Sequence, residues 1–487
     1  MLKRGLIGYL PVNIVQAIAG FGAIVVFTRL LSPSDYGAYA LGFSVMSLVR
    51  TCLFTWIEAA MARFYAAEAD GAPRAALFAT LYRTFAVMAL ALPVFAGLIL
   101  AVLPAPLTLK CAMAAGLSAI LSRGVLKLAQ ERRRAAGDVS GYAWLDMAQT
   151  GGGFLLGVGF VAIGWGGAGP LAGMGVAAAL LLAVALPAEF KIARGGRFDR
   201  KRLTRAIGYG VPLSLSLVMS LALATTDRFV LAAYLNEAAV GAYHAGYSLS
   251  SRTQDVMFIW LGMAGGPAAV TALERGGEAA LQRTALDQAR LMALLTIPAA
   301  AGLALVARPL AQVMVGPGLQ AEAALVTPWI ALGALCSGIT TYYLHTAFTL
   351  GRRTHLLLIA MAIPALANLV LVLALVPRFG LQGAMWATAA SYALGMVASW
   401  ALGRQALRLP IPWAALGKIT IATAVMALAV QAVPTWCGLP ELLGKAGVGV
   451  AVYGAAVLAL DAAGARARAA ELLNMIRRRT IDLERLA

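Results

Sequence analysis

Charge is scarce in this chain: 12% of its 487 residues are Asp, Glu, Lys or Arg, about half the share of a soluble globular protein. That excludes a string of water-soluble domains, because no interval between the long apolar runs holds enough polar sequence to clothe one. Acidic residues are the scarcer sign, 21 against 39 basic. Cys52, Cys111, Cys336 and Cys437 stand isolated, mostly within or beside apolar segments, and indicate neither a disulfide framework nor a zinc site. The three histidines, His244, His345 and His355, are scattered and form no metal site. A Walker loop, a nucleophile elbow and a cluster of metal ligands at useful spacing are all missing. The glycine-rich "GVGVAVYGA" near Gly447 follows no strand and reads as an apolar helix.

Hydrophobicity fills the space that charge leaves, at 61% of residues. Apolar segments of about twenty residues or more follow one another from end to end, each long enough to cross a hydrocarbon core of about 30 Å as helix. The expected fold class is an all-α integral membrane protein of about 14 transmembrane helices. The expected spans are 6–31, 35–62, 75–103, 107–131, 139–164, 169–190, 205–235, 238–272, 284–314, 321–349, 354–376, 381–403, 412–433 and 441–463. Helices are preferred because lipid offers no partner to an unpaired backbone group, and the alternating pattern of a membrane β-barrel is missing. The first run, "MLKRGLIGYLPVNIVQAIAGFGAIVVF", continues past the h-region of a signal peptide and has no cleavage pattern, so it reads as the first span.

Charge in the connections tests the count. Alternate ones are basic: "MLKR", "ERRRAAGD" at Glu131, "KIARGGRFDRKRLTR" at Lys191, "LERGGEAALQR" at Leu273, "GRRTH" at Gly351, "GRQALR" at Gly403 and the tail with "RRR" at Arg477. The others, "LSPSDYG", "LPAPL", "GWGGAGP", "YLNEAAVG", "VGPGLQAE", "VPRFGLQG" and "VPTWCGLPE", are short and nearly free of Lys and Arg. The positive-inside rule places the basic set, and with it both termini, in the cytoplasm. It also accounts for the net charge of +18 better than nucleic acid, which is not an expected partner.

A phrase recurs. "SDYGAYALGFS" (34–44) returns as "AAVGAYHAGYS" (238–248), and "LAGMGVAAAL" at Leu171 is echoed by "LQGAMWATAA" at Leu381. At these offsets the chain reads as two parallel, pseudo-symmetric lobes of about six helices each, an arrangement of secondary transporters, plus two C-terminal helices. The expected organisation is a first lobe at 1–193, a basic linker at 194–204, a second lobe at 205–408, two further spans within 409–463 and a basic tail at 464–487. Gly37, Gly42, Gly241 and Gly246 let helices approach closely, while Tyr39 and Tyr243 are expected at the membrane interface. Pro212, Pro298 and Pro364 are expected to kink their spans or simply to pack within them.

"TRLLSPSDYGAYALGFSVMSLV", "TTDRFVLAAYLNEAAVGAYHAGYSLS" and "VPRFGLQGAMWATAASY" resemble the corresponding segments of the polysaccharide transporter (Wzx-type) flippases. These belong to the multidrug/oligosaccharidyl-lipid/polysaccharide (MOP) exporter superfamily. The resemblance covers nearly the whole chain. It implies two six-helix lobes (MATE/MOP-like) around a cavity that opens alternately to either side. It further implies movement of an undecaprenyl-diphosphate-linked oligosaccharide (O-antigen, capsule or exopolysaccharide repeat unit) to the outer leaflet of a bacterial inner membrane. Membrane lipids, and polymerase and chain-length proteins of the same pathway, are the further partners expected. No cofactor is expected; coupling to H⁺ or Na⁺ is left open.

Ionisable residues within spans are costly and therefore informative. Arg50 and Arg123 are expected to face a cavity and bind the diphosphate, since guanidinium grips phosphate oxygens in pairs and keeps its charge when buried. Lys127 shares the Arg123 face; Arg252 lies in the second lobe at a depth similar to Arg50, two positions out of strict repeat register, and Arg290 enters the ninth span from the cytoplasmic side, and all five are expected to give an anionic headgroup a cationic cavity. Lys127 and Arg290 also read as side chains snorkelling to headgroups, and Arg252 as a partner of Asp255. Ion-coupling candidates are Asp146, Asp227, Asp255 and Glu58, with a structural ion pair the competing role for Asp227. On a continuous helix Arg50 and Glu58 are a poor match, two turns apart. The basic tail from Arg466 reads as an amphipathic helix on an anionic membrane surface. The alternatives are a lipid II flippase, a multidrug cation antiporter, which the sign of the deep charges disfavours, and, from a different class, a membrane polymerase or ligase, which the short outward loops disfavour.

Overall fold

Backbone that enters hydrocarbon must bond to itself, and in the computed structural model the chain does so as helix throughout, with fifteen α-helices and no strand among the described residues, 2–467. In order they are α1 (Leu2–Leu30), α2 (Pro33–Leu53), α3 (Thr55–Phe64), α4 (Ala72–Val102), α5 (Leu107–Ala135), α6 (Val139–Ala162), α7 (Gly169–Ala193), α8 (Arg200–Tyr234), α9 (Glu237–Leu305), α10 (Ala307–Met314), α11 (Gln320–Ile339), α12 (Thr346–Leu350), α13 (Thr354–Ala406), α14 (Trp413–Gln431) and α15 (Leu439–Ala459). The expected basic tail helix falls largely beyond residue 467, outside the described residues.

Ten of the described helices are long and apolar enough to span a bilayer, or eleven if the bent α2–α3 pair counts as one span. The difference from the expected number lies partly in two very long elements. At 69 residues, α9 would reach about 100 Å as one rod, roughly three times the hydrocarbon thickness. It breaks at Gly277 (φ 66°, ψ −161°), and α13 breaks at Gly380 (φ 57°, ψ −131°). Both glycines adopt a left-handed φ that a side chain would strain, and both fall in gaps between expected spans. The prolines act otherwise: α8 continues through Pro212 and α9 through Pro298.

Contacts divide the chain into two compact units. The first consists of Met1–Ser248, Met314–Ala323 and Ala365–Ala387; the second of Leu249–Val313, Ala324–Pro364 and the described residues of Thr388–Ala487. In the first unit the connections poor in Lys and Arg converge. Gly316 N donates to Thr28 Oγ1 at 2.8 Å; Gly166 packs against Asp35, Gly318 against Pro33 and Gly380 against Leu235. The basic connections of the unit gather in turn: Arg132 of "ERRRAAGD" bonds Glu189, just before "KIARGGRFDRKRLTR", at 2.6 Å, and that linker packs on the α3–α4 connection, with Arg202 bonding Glu68 at 3.1 Å and Gly196 lying on the Ala75 carbonyl. These two gatherings sit at opposite ends of α8, about 50 Å long at 1.5 Å per residue. The alternation of charge along the sequence is therefore an alternation in space.

The two copies of the repeated phrase pack on each other inside this unit. A Cβ at Gly37 would overlap the Glu237 carbonyl oxygen, and one at Gly241 would stand 2.6 Å from the Pro33 oxygen. Lacking a side chain, each glycine lets the start of one helix rest on the backbone of the other. A Cβ at Gly42 would likewise stand 2.9 Å from the Ala112 oxygen on α5. The tyrosines of the phrase depart from expectation. Tyr39 and Tyr243 are buried: Tyr39 stacks among Phe27, Tyr36, Phe43 and His244, and Tyr243 donates from its hydroxyl to Asp227 Oδ2 at 2.6 Å. They are internal pins, because the close glycine contacts draw their helices together and exclude the interface from them.

The second unit is organised around a π-helical turn, Thr340–Leu344, between α11 and α12. A π turn displaces carbonyls from the regular ladder, and Gln288 Nε2 donates to one of them, Tyr342 O, at 3.2 Å. Tyr343 Oη donates to Pro410 O at 2.5 Å, and Tyr342 stacks on Phe258 with ring centres 5.9 Å apart. Beside this turn lies an apolar cavity of about 390 Å³ whose lining includes Met292, Ile297, Tyr343, Trp400, Trp413 and Leu416.

Candidate functional site

Helix α2 ends at Phe54, whose φ/ψ of −120°/−25° is not helical although its N–H still donates to Arg50 O at 2.9 Å. The chain resumes as α3 at an angle of 49°. The bend folds Glu58 back beneath the last turn of α2, where Arg50 projects. Arg50 Nη1 reaches Glu58 Oε1 at 3.2 Å, and the Glu58 side chain is 7% exposed. A straight helix would hold the two residues about 12 Å apart along its axis, which is why sequence spacing alone separates them.

On α5 the Arg123–Lys127 pair shares a face as expected, but its two members have different surroundings. Lys127 Nζ pairs with Glu131 at 3.1 Å and lies over the Tyr142 ring at 5.6 Å; Arg134 takes the other oxygen of Glu131 at 2.5 Å. Arg123 has no carboxylate at salt-bridge distance among the described residues. Its Nη1 instead contacts the sulfurs of Met46 and Met174, each at 3.5 Å. Arg50, Glu58 and Asp146 act on it electrostatically from further away. Asp146 itself is buried and accepts from Gln16 Nε2 of α1 at 2.7 Å.

The deep charges of the first unit thus form an interleaved network of Arg50, Arg123 and Lys127 with Glu58, Glu131 and Asp146. Glu58 and Glu131 each already bond a cation. Arg123 keeps its donors facing soft thioether sulfur, a weak acceptor, so a phosphate oxygen would gain more there than at Arg50. Asp227 belongs to the same unit: it is fully buried and accepts from the Tyr243 hydroxyl at 2.6 Å.

Arg252, Asp255 and Arg290 lie in the second unit. Arg290 pairs with Asp287 one turn away at 3.3 Å, both well exposed. Arg252 and Asp255 are exposed and interact electrostatically, with no salt bridge between them.

Arg228 is a buried cation that the sequence reading misses. It is buried, donates to Ser44 Oγ at 3.1 Å and places its guanidinium 5.1 Å from the Tyr247 ring centre, joining α8 to α2 and α9. The signal is an arginine inside a span, masked by the acidic neighbour Asp227. Arg132 is a second such case. It binds Glu189 through Nε at 3.1 Å and Nη2 at 2.6 Å, although in sequence it belongs to a basic loop.

A bundle of long apolar helices with arginines and carboxylates paired among them defines the class: a multi-pass membrane protein. The chain belongs to the polysaccharide biosynthesis protein family, whose model matches residues 26–320. Its fold is similar to that of "Lipid II flippase MurJ, inward closed conformation", with a TM-score of 0.77 at 14% identity over 92% of this chain and 97% of that one. It is also similar to an inward-facing multidrug resistance MATE family transporter of the MOP superfamily, with a TM-score of 0.62 at 14% identity over 80% and 94% of the two chains. A MOP superfamily transporter from Pyrococcus furiosus, described as having a binding pocket of reverse polarity, is similar with a TM-score of 0.53 at 14% identity over 82% and 92%. No curated protein sequence matches the chain. The chain is accordingly a member of a polysaccharide biosynthesis family with a fold shared by the MurJ and MATE structures.

Proposed function

We propose that the protein carries an undecaprenyl-diphosphate-linked oligosaccharide from the cytoplasmic to the outer leaflet of a bacterial inner membrane by alternating access, with its basic connections and both termini in the cytoplasm. Arg123 is the observation that carries this reading: a half-buried guanidinium in the membrane, with sulfur neighbours and no carboxylate bonded to it. Such a group binds a diphosphate strongly, because charge-assisted, paired hydrogen bonds gain most where water is scarce. Arg50 and Lys127 stand ready to join by exchanging Glu58 and Glu131 for the incoming anion. Arg252 and Arg290 belong to the second unit and are the candidate anion ligands of that unit. The prenyl chain stays in the hydrocarbon of the bilayer.

Asp146, Glu58, Asp227 and Asp255 remain the groups through which H⁺ or Na⁺ would couple to transport; Asp146 is favoured because its hydrogen bond comes from a neutral amide. The same arginine chemistry would serve lipid II, the molecule named for the similar MurJ structure. Membership in a polysaccharide family favours a glycan repeat unit. A strain lacking the gene tests the choice: it should accumulate lipid-linked repeat units on the cytoplasmic leaflet. Accumulation of lipid II, or of neither, would refute the reading.

A further inference from the structure

At the end of the first unit where the basic connections meet, α4 and α7 leave a cleft of about 240 Å³ whose lining includes Tyr82, Arg83, Leu186, Glu189, Phe190 and Gly196. Its charges are unevenly satisfied. Glu189 is almost fully buried and takes two bonds from Arg132, at 3.1 and 2.6 Å, and one from the Tyr82 hydroxyl at 3.1 Å. Its charge is thereby neutralised. Arg83 is exposed and has neither an ion pair nor a hydrogen bond among the described residues, so the cleft carries one uncompensated positive charge.

Depth identifies what such a charge meets. One turn beyond Arg83 the exposed face of α4 becomes wholly apolar, with Val87, Leu90 and Val94 all more than 60% exposed, and on α7 Leu180 and Val184 match them. In the other direction the end of α7 and the turn after it carry exposed Lys191, Arg194 and Arg197. The cleft therefore straddles the boundary between hydrocarbon and headgroups, in the leaflet that the basic connections face. Phe190, 65% exposed, and Leu186 give it an apolar floor on the hydrocarbon side.

We propose that this cleft is a binding site for the phosphate of an anionic phospholipid, held by Arg83 with the acyl chains lying over Phe190 and Leu186. The guanidinium supplies paired donors to phosphate oxygens, the Tyr82–Glu189–Arg132 triad shapes the wall without repelling the ligand, and the apolar floor selects a lipid over a soluble anion. The site is separate from the Arg50–Arg123 network, and its occupancy is read without any transport measurement.

The full-length protein in nanodiscs containing a photoreactive phosphatidylglycerol tests it by mapping crosslinks to peptides of α4 and α7. Crosslinking at the cleft should fall about tenfold in Arg83→Ala, as one charge-assisted phosphate contact would dictate, and be retained in Arg83→Lys. It should be unchanged in Arg197→Ala, which removes an exposed cation of the same end. A photoreactive phosphatidylcholine should label the cleft about tenfold less, and millimolar inorganic phosphate should not displace phosphatidylglycerol. Equal labelling in Arg83→Ala, equal labelling by phosphatidylcholine, or displacement by inorganic phosphate would each overturn the proposal.

Discussion

Arg50 and Glu58 are bonded at 3.2 Å across a helix break, although eight residues separate them. The bend at Phe54 makes the pair, and the pair in turn holds the bend, because neither charge has another salt-bridge partner among the described residues. Removing one member of a buried pair costs about 3–5 kcal/mol, whereas replacing both by apolar groups of similar volume is often neutral. Arg50→Met should therefore lower the melting temperature in detergent, and Arg50→Met with Glu58→Leu should recover most of the loss. Equal losses in the single and double variants would show that the two charges do not act as a unit.

The contact between the repeated phrases is as specific. Gly37→Ala puts a methyl group into the Glu237 carbonyl, and overpacking of this kind costs about 1–3 kcal/mol. Gly97→Ala, in the interior of α4 where a Cβ meets nothing within 4 Å, should be neutral or slightly stabilising, since alanine is the better helix former. Thermal unfolding of the two variants side by side checks this, and indifference to Gly37→Ala would mean that the helices are not in contact there.

Tyr243→Phe removes the donor to Asp227 while keeping the ring. A buried carboxylate that loses a bond of this type costs about 1–3 kcal/mol, so the variant should unfold earlier. Adding Asp227→Leu should reverse part of that loss. A neutral Tyr243→Phe would remove Asp227 from the structural role assigned to it.

Much of the architecture is legible in the sequence because it rests on period and charge. The apolar lengths call for helices that cross a bilayer, and the alternation of basic and neutral connections returns as the two gatherings at opposite ends of α8. The echo of "SDYGAYALGFS" in "AAVGAYHAGYS" is visible in the sequence, and the structure adds that Gly37 and Gly241 bring the two copies into contact. The candidate site is legible in residue type but less so in pairing. Spacing places Arg123 and Lys127 on one face, since that depends only on the helical period. It does not show that Phe54 interrupts a span, because no proline or glycine marks the break, and so it keeps Arg50 from Glu58. Nor does it assign Tyr39 and Tyr243 to the interior, because tyrosine is equally at home at an interface and in a polar core.

Arg123 separates a transport role from a purely structural reading of these charges. Purified protein in liposomes, supplied with a fluorescent undecaprenyl-diphosphate oligosaccharide on one side, gives the translocation rate directly. Arg123→Gln, close in length and uncharged, should melt within a few degrees of the parent protein and translocate at least about tenfold more slowly, the loss of roughly 1.4 kcal/mol of binding to the moving headgroup. Arg123→Lys should recover part of the rate. Translocation by Arg123→Gln at the parent rate would contradict the central claim that this guanidinium receives the diphosphate.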